Sequence, residues 1–175
     1  IEQGEVEVNP TEINNIKNSN IHDIVRKALI GTGDEKVEVL NKYGLMSNWN
    51  TSNVTNMKGL FSLDYYKDIT DYDAVWQAAI QKFNQDITNW DITNVTNFTK
   101  IFYRCEALNQ QFNKWVPYYH WRNSKPVYTE MFSNNISLRC TFNLNHFAPK
   151  MEYAGYSTDM FLKCPHVKFE NLDPY

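Results

Sequence analysis

Four histidines (His22, His120, His146 and His166) and three cysteines (Cys105, Cys140 and Cys164) are the side chains of this sequence best suited to hold a metal. A zinc site needs such ligands in close pairs with recognisable spacing. Cys164-Pro-His166 brings two ligand types together, but its spacing matches no zinc pattern. The cysteines are too few and too spread for a disulfide scaffold, so they read as buried small apolar side chains and the histidines as surface residues. Asp86 and Asp91 are the carboxylates one would pair for glycoside cleavage. On a strand, residues five apart point to opposite faces, so turn-anchoring aspartates are the expected reading. No GxSxG, HExxH or phosphate-cradling glycine loop occurs. The expectation is a chain with no catalytic residue, no metal and no cofactor.

Aromatic residues are the second kind of side chain with recognition chemistry. Tyr118, Tyr119, His120 and Trp121 form one cluster, and Tyr65 and Tyr66 belong to a second aromatic stretch with Tyr72 and Trp76. Tyr and Trp are enriched where proteins meet partners, and flat rings stack on sugars. Tyr118, Tyr119, His120, Trp121, Tyr65 and Tyr66 are therefore the binding candidates. The competing reading is that these rings cover a widened core, and for Trp76 core packing is the expected role. Asn50, Asn53, Asn94, Asn97 and Asn135 each begin an Asn-x-Ser/Thr acceptor. Four of them recur with the repeat described next, so structure accounts for them without sugar.

The elements that must position these residues come from an internal repeat. Trp49-Asn-Thr-Ser-Asn-Val-Thr-Asn-Met-Lys-Gly-Leu-Phe61 recurs as Trp90-Asp-Ile-Thr-Asn-Val-Thr-Asn-Phe-Thr-Lys-Ile-Phe102. Weaker copies end Val127-Tyr-Thr-Glu-Met-Phe132 and Tyr156-Ser-Thr-Asp-Met-Phe161, so a closing Phe falls at 61, 102, 132 and 161, with spacings of 41, 30 and 29. A second anchor, Phe-Asn, falls at 83, 112 and 142, with an echo at Phe169-Glu170. The period is near 29, and the first interval carries an insertion over Asp64 to Gln81 whose second half reads as a short helix capped near Thr70 or Asp71. Asp86 to Trp90 alternates polar and apolar as a half-buried strand would. Thr93 or Asn94 then caps a brief helical turn that turns Val95, Phe98, Ile101 and Phe102 inward. The expected structural core is Trp49, Val54, Met57, Phe61, Phe83, Trp90, Val95, Phe98, Phe102, Phe112, Phe132, Phe142 and Phe161.

The flanks and the bulk composition complete the reading. Ser19 or Asn20 caps a helix through Ile21, Ile24, Val25, Ala28 and Leu29, stopped by Gly31-Thr-Gly33, and its apolar face closes the first repeat. Ile1 to Asn18 alternates Glu and Val around Pro10 and reads as an extended arm or linker, the alternative being an arm that pairs with another chain. The chain has 175 residues, 42% hydrophobic and 15% aromatic, which suits one domain with an ordinary core. Its net charge of −3 with scattered Lys and Arg gives no basic stripe for a phosphate backbone, so nucleic acid is an unexpected partner. No apolar run reaches 18 residues, so no membrane-spanning helix is expected. The first residue is Ile1, which leaves open a processed product that has lost a signal peptide. The 22 asparagines, with many Ile and Lys, point to an AT-rich source rather than to a function.

Phe83-Asn-Gln-Asp-Ile-Thr-Asn-Trp-Asp-Ile-Thr-Asn-Val-Thr-Asn-Phe-Thr-Lys-Ile-Phe102 resembles the DUF285, or BspA-like, leucine-rich-repeat-related proteins, whose units read roughly FNxDIxxWDxSxVTxMxxMF. The likeness is strong over residues 45 to 115 and rests on the Phe-Asn and Met-Phe remnants from 116 to 169. Ile21 to Gly44 resembles the leader helix that precedes the first repeat in that family. The insertion at Asp64 to Gln81 and the aromatic Trp115-Val-Pro-Tyr-Tyr-His-Trp-Arg122 depart from the pattern. The resemblance implies an α/β fold, a short right-handed leucine-rich-repeat-like solenoid of about four to five units. Its N-terminal capping helix would span 19–44 and its repeats 45–169, after a leader arm over 1–18. It also implies a non-catalytic protein at a cell surface or outside the cell that binds a protein or glycan partner. The alternatives are a structural subunit of an assembly such as a virion capsid or envelope, contacting neighbouring subunits, and a glycan-active enzyme whose site leaves no sequence signature.

Overall fold

The computed structural model describes residues 15–62, 73–117, 126–143 and 159–170. Helix α1 spans Ile21–Ile30 and buries Ile21, Ile24 and Val25, residues three and four apart on one face. Asp23 in its first turn pairs with Arg26 at 3.3 Å and Lys27 at 3.1 Å. Asn20 stands at the N-cap position, but its Oδ1 accepts from the Lys17 N–H instead of from the helix. The helix stops where Gly31 donates its N–H to the Lys27 carbonyl. A Cβ at Gly31 would collide with that same carbonyl oxygen, so the residue is glycine for space.

The single capping helix expected over 19–44 is two helices. Helix α2 spans Gly33–Tyr43 and starts at a reciprocal cap: the Glu35 N–H donates to Thr32 Oγ1, and the Thr32 N–H donates to the Glu35 carboxylate. This capping box satisfies two orphan donors and nucleates a new helix, which the Gly31-Thr-Gly33 stop signal concealed. Arg26 reaches Glu35 at 3.1 Å and ties the two helices together. Helix α3, Asp73–Gln81, forms the second half of the insertion, as expected, and its Trp76 and Ile80 are buried. The proposed cap at Thr70 or Asp71 lies outside the described residues.

The leucine-rich-repeat-like solenoid of four to five units does not form. Regular structure among the described residues is three short helices, a single 3-10 turn at Met46–Asn48, and two three-residue strands, β1 (Thr141–Asn143) and β2 (Lys168–Glu170), paired in parallel. Asp86 to Trp90, expected as a strand, is a turn. Its Asp86 Oδ1 accepts from both the N–H and the hydroxyl of Thr88 at 2.9 and 2.8 Å, so the extended run folds back on itself. The brief helix expected after Thr93 is likewise a chain of three-residue turns, as in Ile101 N–H to Phe98 carbonyl at 3.1 Å.

Left-handed residues explain why neither helix nor strand persists. Gly59, Lys100, Glu130 and Asp159 all have φ between 51° and 66°, and each sits two residues before a closing Phe. Arg104, Asn134 and Lys163, at 57° to 63°, sit two residues after one. The sequence repeat is thus a repeat of turn conformation. Neighbouring copies are joined by backbone bonds: Met57, Gly59 and Phe61 donate to Asn97, Thr99 and Ile101, and Phe98, Lys100, Phe102 and Arg104 donate to Val127, Thr129, Met131 and Ser133. Phe132 and Asn134 continue the pattern onto Met160 and Leu162.

Inside this backbone frame the closing rings stack. Phe61 to Phe102, Phe102 to Phe132 and Phe132 to Phe161 lie 5.6, 5.4 and 5.5 Å apart at interplanar angles of 9°, 19° and 5°. Trp49 stacks on Trp90 at 5.8 Å and Phe98 on Tyr128 at 5.4 Å. No single copy could bury its Phe and Trp without the neighbour above it, so burial and pairing are the same event.

Candidate interaction surface

Of the residues expected to form the core, Trp49, Val54, Met57, Phe61, Phe83, Trp90, Val95, Phe98, Phe102, Phe112, Phe132 and Phe142 are buried and Phe161 is partly so. Tyr65, Tyr66, Tyr118, Tyr119, His120 and Trp121, the binding candidates, lie outside the described residues, as do Tyr72 and His146. What the structure does show is where their segments leave and rejoin the frame. The first departs after Ser62, fully buried, and returns into α3, whose Trp76 Nε1–H donates to the Ser62 carbonyl at 2.9 Å. The second departs after buried Pro117 and returns at buried Pro126, next to Val127, whose N–H donates to Thr96 at 2.9 Å. Ser62, Pro117 and Pro126, three of the four residues that flank these segments, are buried in the frame.

Several residues with reactive chemistry hold structural posts. Asp91 repeats the part of Asp86, accepting from the Thr93 N–H and hydroxyl at 3.0 and 2.6 Å. Asn50 does the same for Ser52. The hydrogen bonds from Thr88 hold the Asp86 carboxyl below the usual range, as suits an ionised turn anchor. His22 lies against the Lys58 carbonyl, with Nε2 at 2.9 Å, and burial lowers its pKa. Among the described residues no three His, Cys, Asp or Glu side chains gather as metal ligands.

The cysteines do more than fill space. Aligned on the closing Phe, Cys105, Asn135 and Cys164 share one position, three residues later. Each donates to the carbonyl of the preceding copy's closing Phe: Cys105 to Phe61 at 3.0 Å, Asn135 to Phe102 at 2.9 Å and Cys164 to Phe132 at 2.8 Å. Burial pushes the Cys105 thiol up, so it stays a protonated donor. Asn135 is fully buried, which closes that acceptor sequence to a glycan, and its Oδ1 has no partner among the described residues. Comparing the copies position by position, instead of residue type by residue type, would have revealed this column.

Two surface features escaped the sequence reading. Val37 and Leu40 lie three apart on α2 and are 55% and 50% exposed. At the far end of the stack, Arg139, Thr141, Pro165, His166 and Lys168 line a cleft of about 360 Å³ between the ends of β1 and β2. Arg139 is 27 positions from His166 and 29 from Lys168 in the chain, too far for a local charge pattern to show the three as one group.

A family model described as "Mycoplasma protein of unknown function, DUF285" matches residues 6–144. No curated protein and no solved structure matches the chain.

Proposed function

We propose that this chain, which belongs to the DUF285 family, is a non-catalytic protein that faces the outside of a cell and binds a protein or glycan partner through its two irregular, aromatic-rich segments. The observation that supports this is their anchoring. The first segment leaves the frame after buried Ser62, whose carbonyl accepts from Trp76, and the second lies between buried Pro117 and buried Pro126. Tyr65, Tyr66, Tyr118, Tyr119, His120 and Trp121 belong to these two segments, and a buried flank lowers the entropic cost of presenting a side chain. The resemblance to BspA-like surface proteins points the same way. Asp86, Asp91 and His22 already have structural partners, which favours a binding role over a catalytic one.

The test is capture from the native source followed by mass spectrometry, comparing the natural chain with two variants, Tyr65→Ala/Tyr66→Ala and Tyr118→Ala/Tyr119→Ala/Trp121→Ala. A partner enriched by the natural chain and lost with either variant, at unchanged thermal stability, is the expected result. An identical partner set from all three chains would remove the two aromatic segments from the interface.

A further inference from the structure

Among the described residues the last copy closes with β2, and no described strand pairs with its outer side. The Lys168 N–H donates inward to the Cys140 carbonyl at 3.0 Å, and Phe169 stands opposite Phe142 in the register. Because a parallel strand alternates its bonding direction, the N–H and C=O of Phe169 point away from β1. Among the described residues nothing bonds to them. All three residues of β2 are exposed, Phe169 by 48%, and Leu162, next in the chain to the Phe161 that packs on Phe169, is exposed by 46%. An unpaired edge next to exposed apolar side chains is a template for one more strand.

The charge around that edge selects its occupant. The cleft beside it is lined by Arg139, His166 and Lys168 and by no acidic residue, in a chain of net charge −3. Glu170 shares the Lys168 face of the strand but does not line the cleft. The first nine residues of the sequence carry Glu2, Glu5 and Glu7 and no Lys or Arg, and Glu5-Val-Glu-Val8 alternates strictly. In an added strand this alternation puts carboxylates on the Lys168 face and valines on the Phe169 face. Asn18, close behind that segment in the chain, is held at the opposite end of the stack, where its Oδ1 accepts from the Thr55 and Asn56 N–H groups at 2.9 and 3.1 Å.

We propose that the outer edge of β2 receives residues 1–9 of a second copy of this chain as an added strand, joining copies head to tail. Such a contact is heterologous, so it grows into open chains instead of closing as a dimer. The inference goes beyond the partner-binding reading and stands or falls separately, because it involves neither aromatic segment.

Sedimentation velocity of the full chain over a range of concentration and salt tests it. Association that rises with concentration and weakens as salt screens the ion pairs is expected. Arg139→Glu/Lys168→Glu and Glu5→Lys/Glu7→Lys should each weaken association roughly tenfold, as two exposed ion pairs allow. Mixed together, these two variants should associate again, since each supplies the end that complements the other. Phe169→Pro removes the outward N–H without touching the bond to β1 and should also leave single copies. A natural chain that stays a single copy at every concentration overturns the proposal. So does a mixture of the two charge variants that fails to associate while both remain folded by circular dichroism.

Discussion

The two ends of the stacked copies are finished differently. At the N-terminal end, Ile16, Ile21, Ile24 and Val25 are buried against the first copy, and Asn18 bonds its side chain to the backbone of Thr55 and Asn56. At the C-terminal end, the last ring pair, Phe161 on Phe169 at 5.1 Å, leaves Phe169 half exposed and β2 with no described strand beyond it. A stack of copies needs its exposed faces covered. Here helices cover one face, while at the other, among the described residues, Phe169 stays half exposed and β2 has no second strand neighbour.

The comparison makes its largest prediction in the middle of the ladder. Phe102 touches Phe61, Phe112, Trp115 and Phe132 and is fully buried, so Phe102→Ala should cost about 3–5 kcal/mol in urea unfolding. Phe169→Ala should cost less than about 1 kcal/mol in dilute chain, because half of its ring already meets solvent. Equal losses would mean that the C-terminal end is as closed as the centre.

The next effects sharpen the account of the closed end. Ile24→Ala removes a buried contact of α1 and should cost roughly 2–4 kcal/mol. Thr32→Ala removes one half of the capping box that starts α2, for about 1 kcal/mol. If Thr32→Ala lowers the urea midpoint as much as Ile24→Ala does, the cap is set by the α1–α2 junction more than by burial.

The smallest effects test the conformation of the copies and the charge state of the cap. Gly59 and Lys100 occupy equivalent left-handed positions. Gly59→Ala should therefore lose about 1 kcal/mol, and Arg104→Gly, at the matching position after the closing Phe, should gain up to about 0.5 kcal/mol. Thermal melts read both, and a stabilised Gly59→Ala chain would contradict the left-handed assignment. For His22, burial lowers the folded-state pKa below 6.5. Below about pH 6.5 the unfolded chain binds a proton there that the folded chain does not, so stability falls from that pH down to the folded pKa. His22→Gln should flatten this part of a stability-versus-pH curve.

Spacing alone placed the closing phenylalanines and the Trp49 and Trp90 pair, because apolar residues at a fixed period must share one interior whatever the backbone does. It also pointed to Asp86 and Asp91 as turn anchors. The same periodicity misled where local chemistry competed with it. Alternation in Asp86 to Trp90 resembles a strand, but the Asp86 side chain captures Thr88 before a neighbouring chain can. Glycines at 31 and 33 resemble a stop, but Thr32 between them begins α2.

What the sequence by itself determined is which residues are interior and how often they recur. The tertiary structure decided the conformation of each copy and the chemistry of its surfaces. Lys100, Arg104 and Glu130 enter left-handed backbone that their types disfavour, and they are held there because the Lys100 and Arg104 N–H groups, and the Thr129 carbonyl beside Glu130, bond between copies. Arg139 meets His166 and Lys168 around one cleft because stacking brings positions nearly one period apart to the same end. Neither outcome is written in a local run of residues, since both depend on the bonds and contacts that one copy makes with the next.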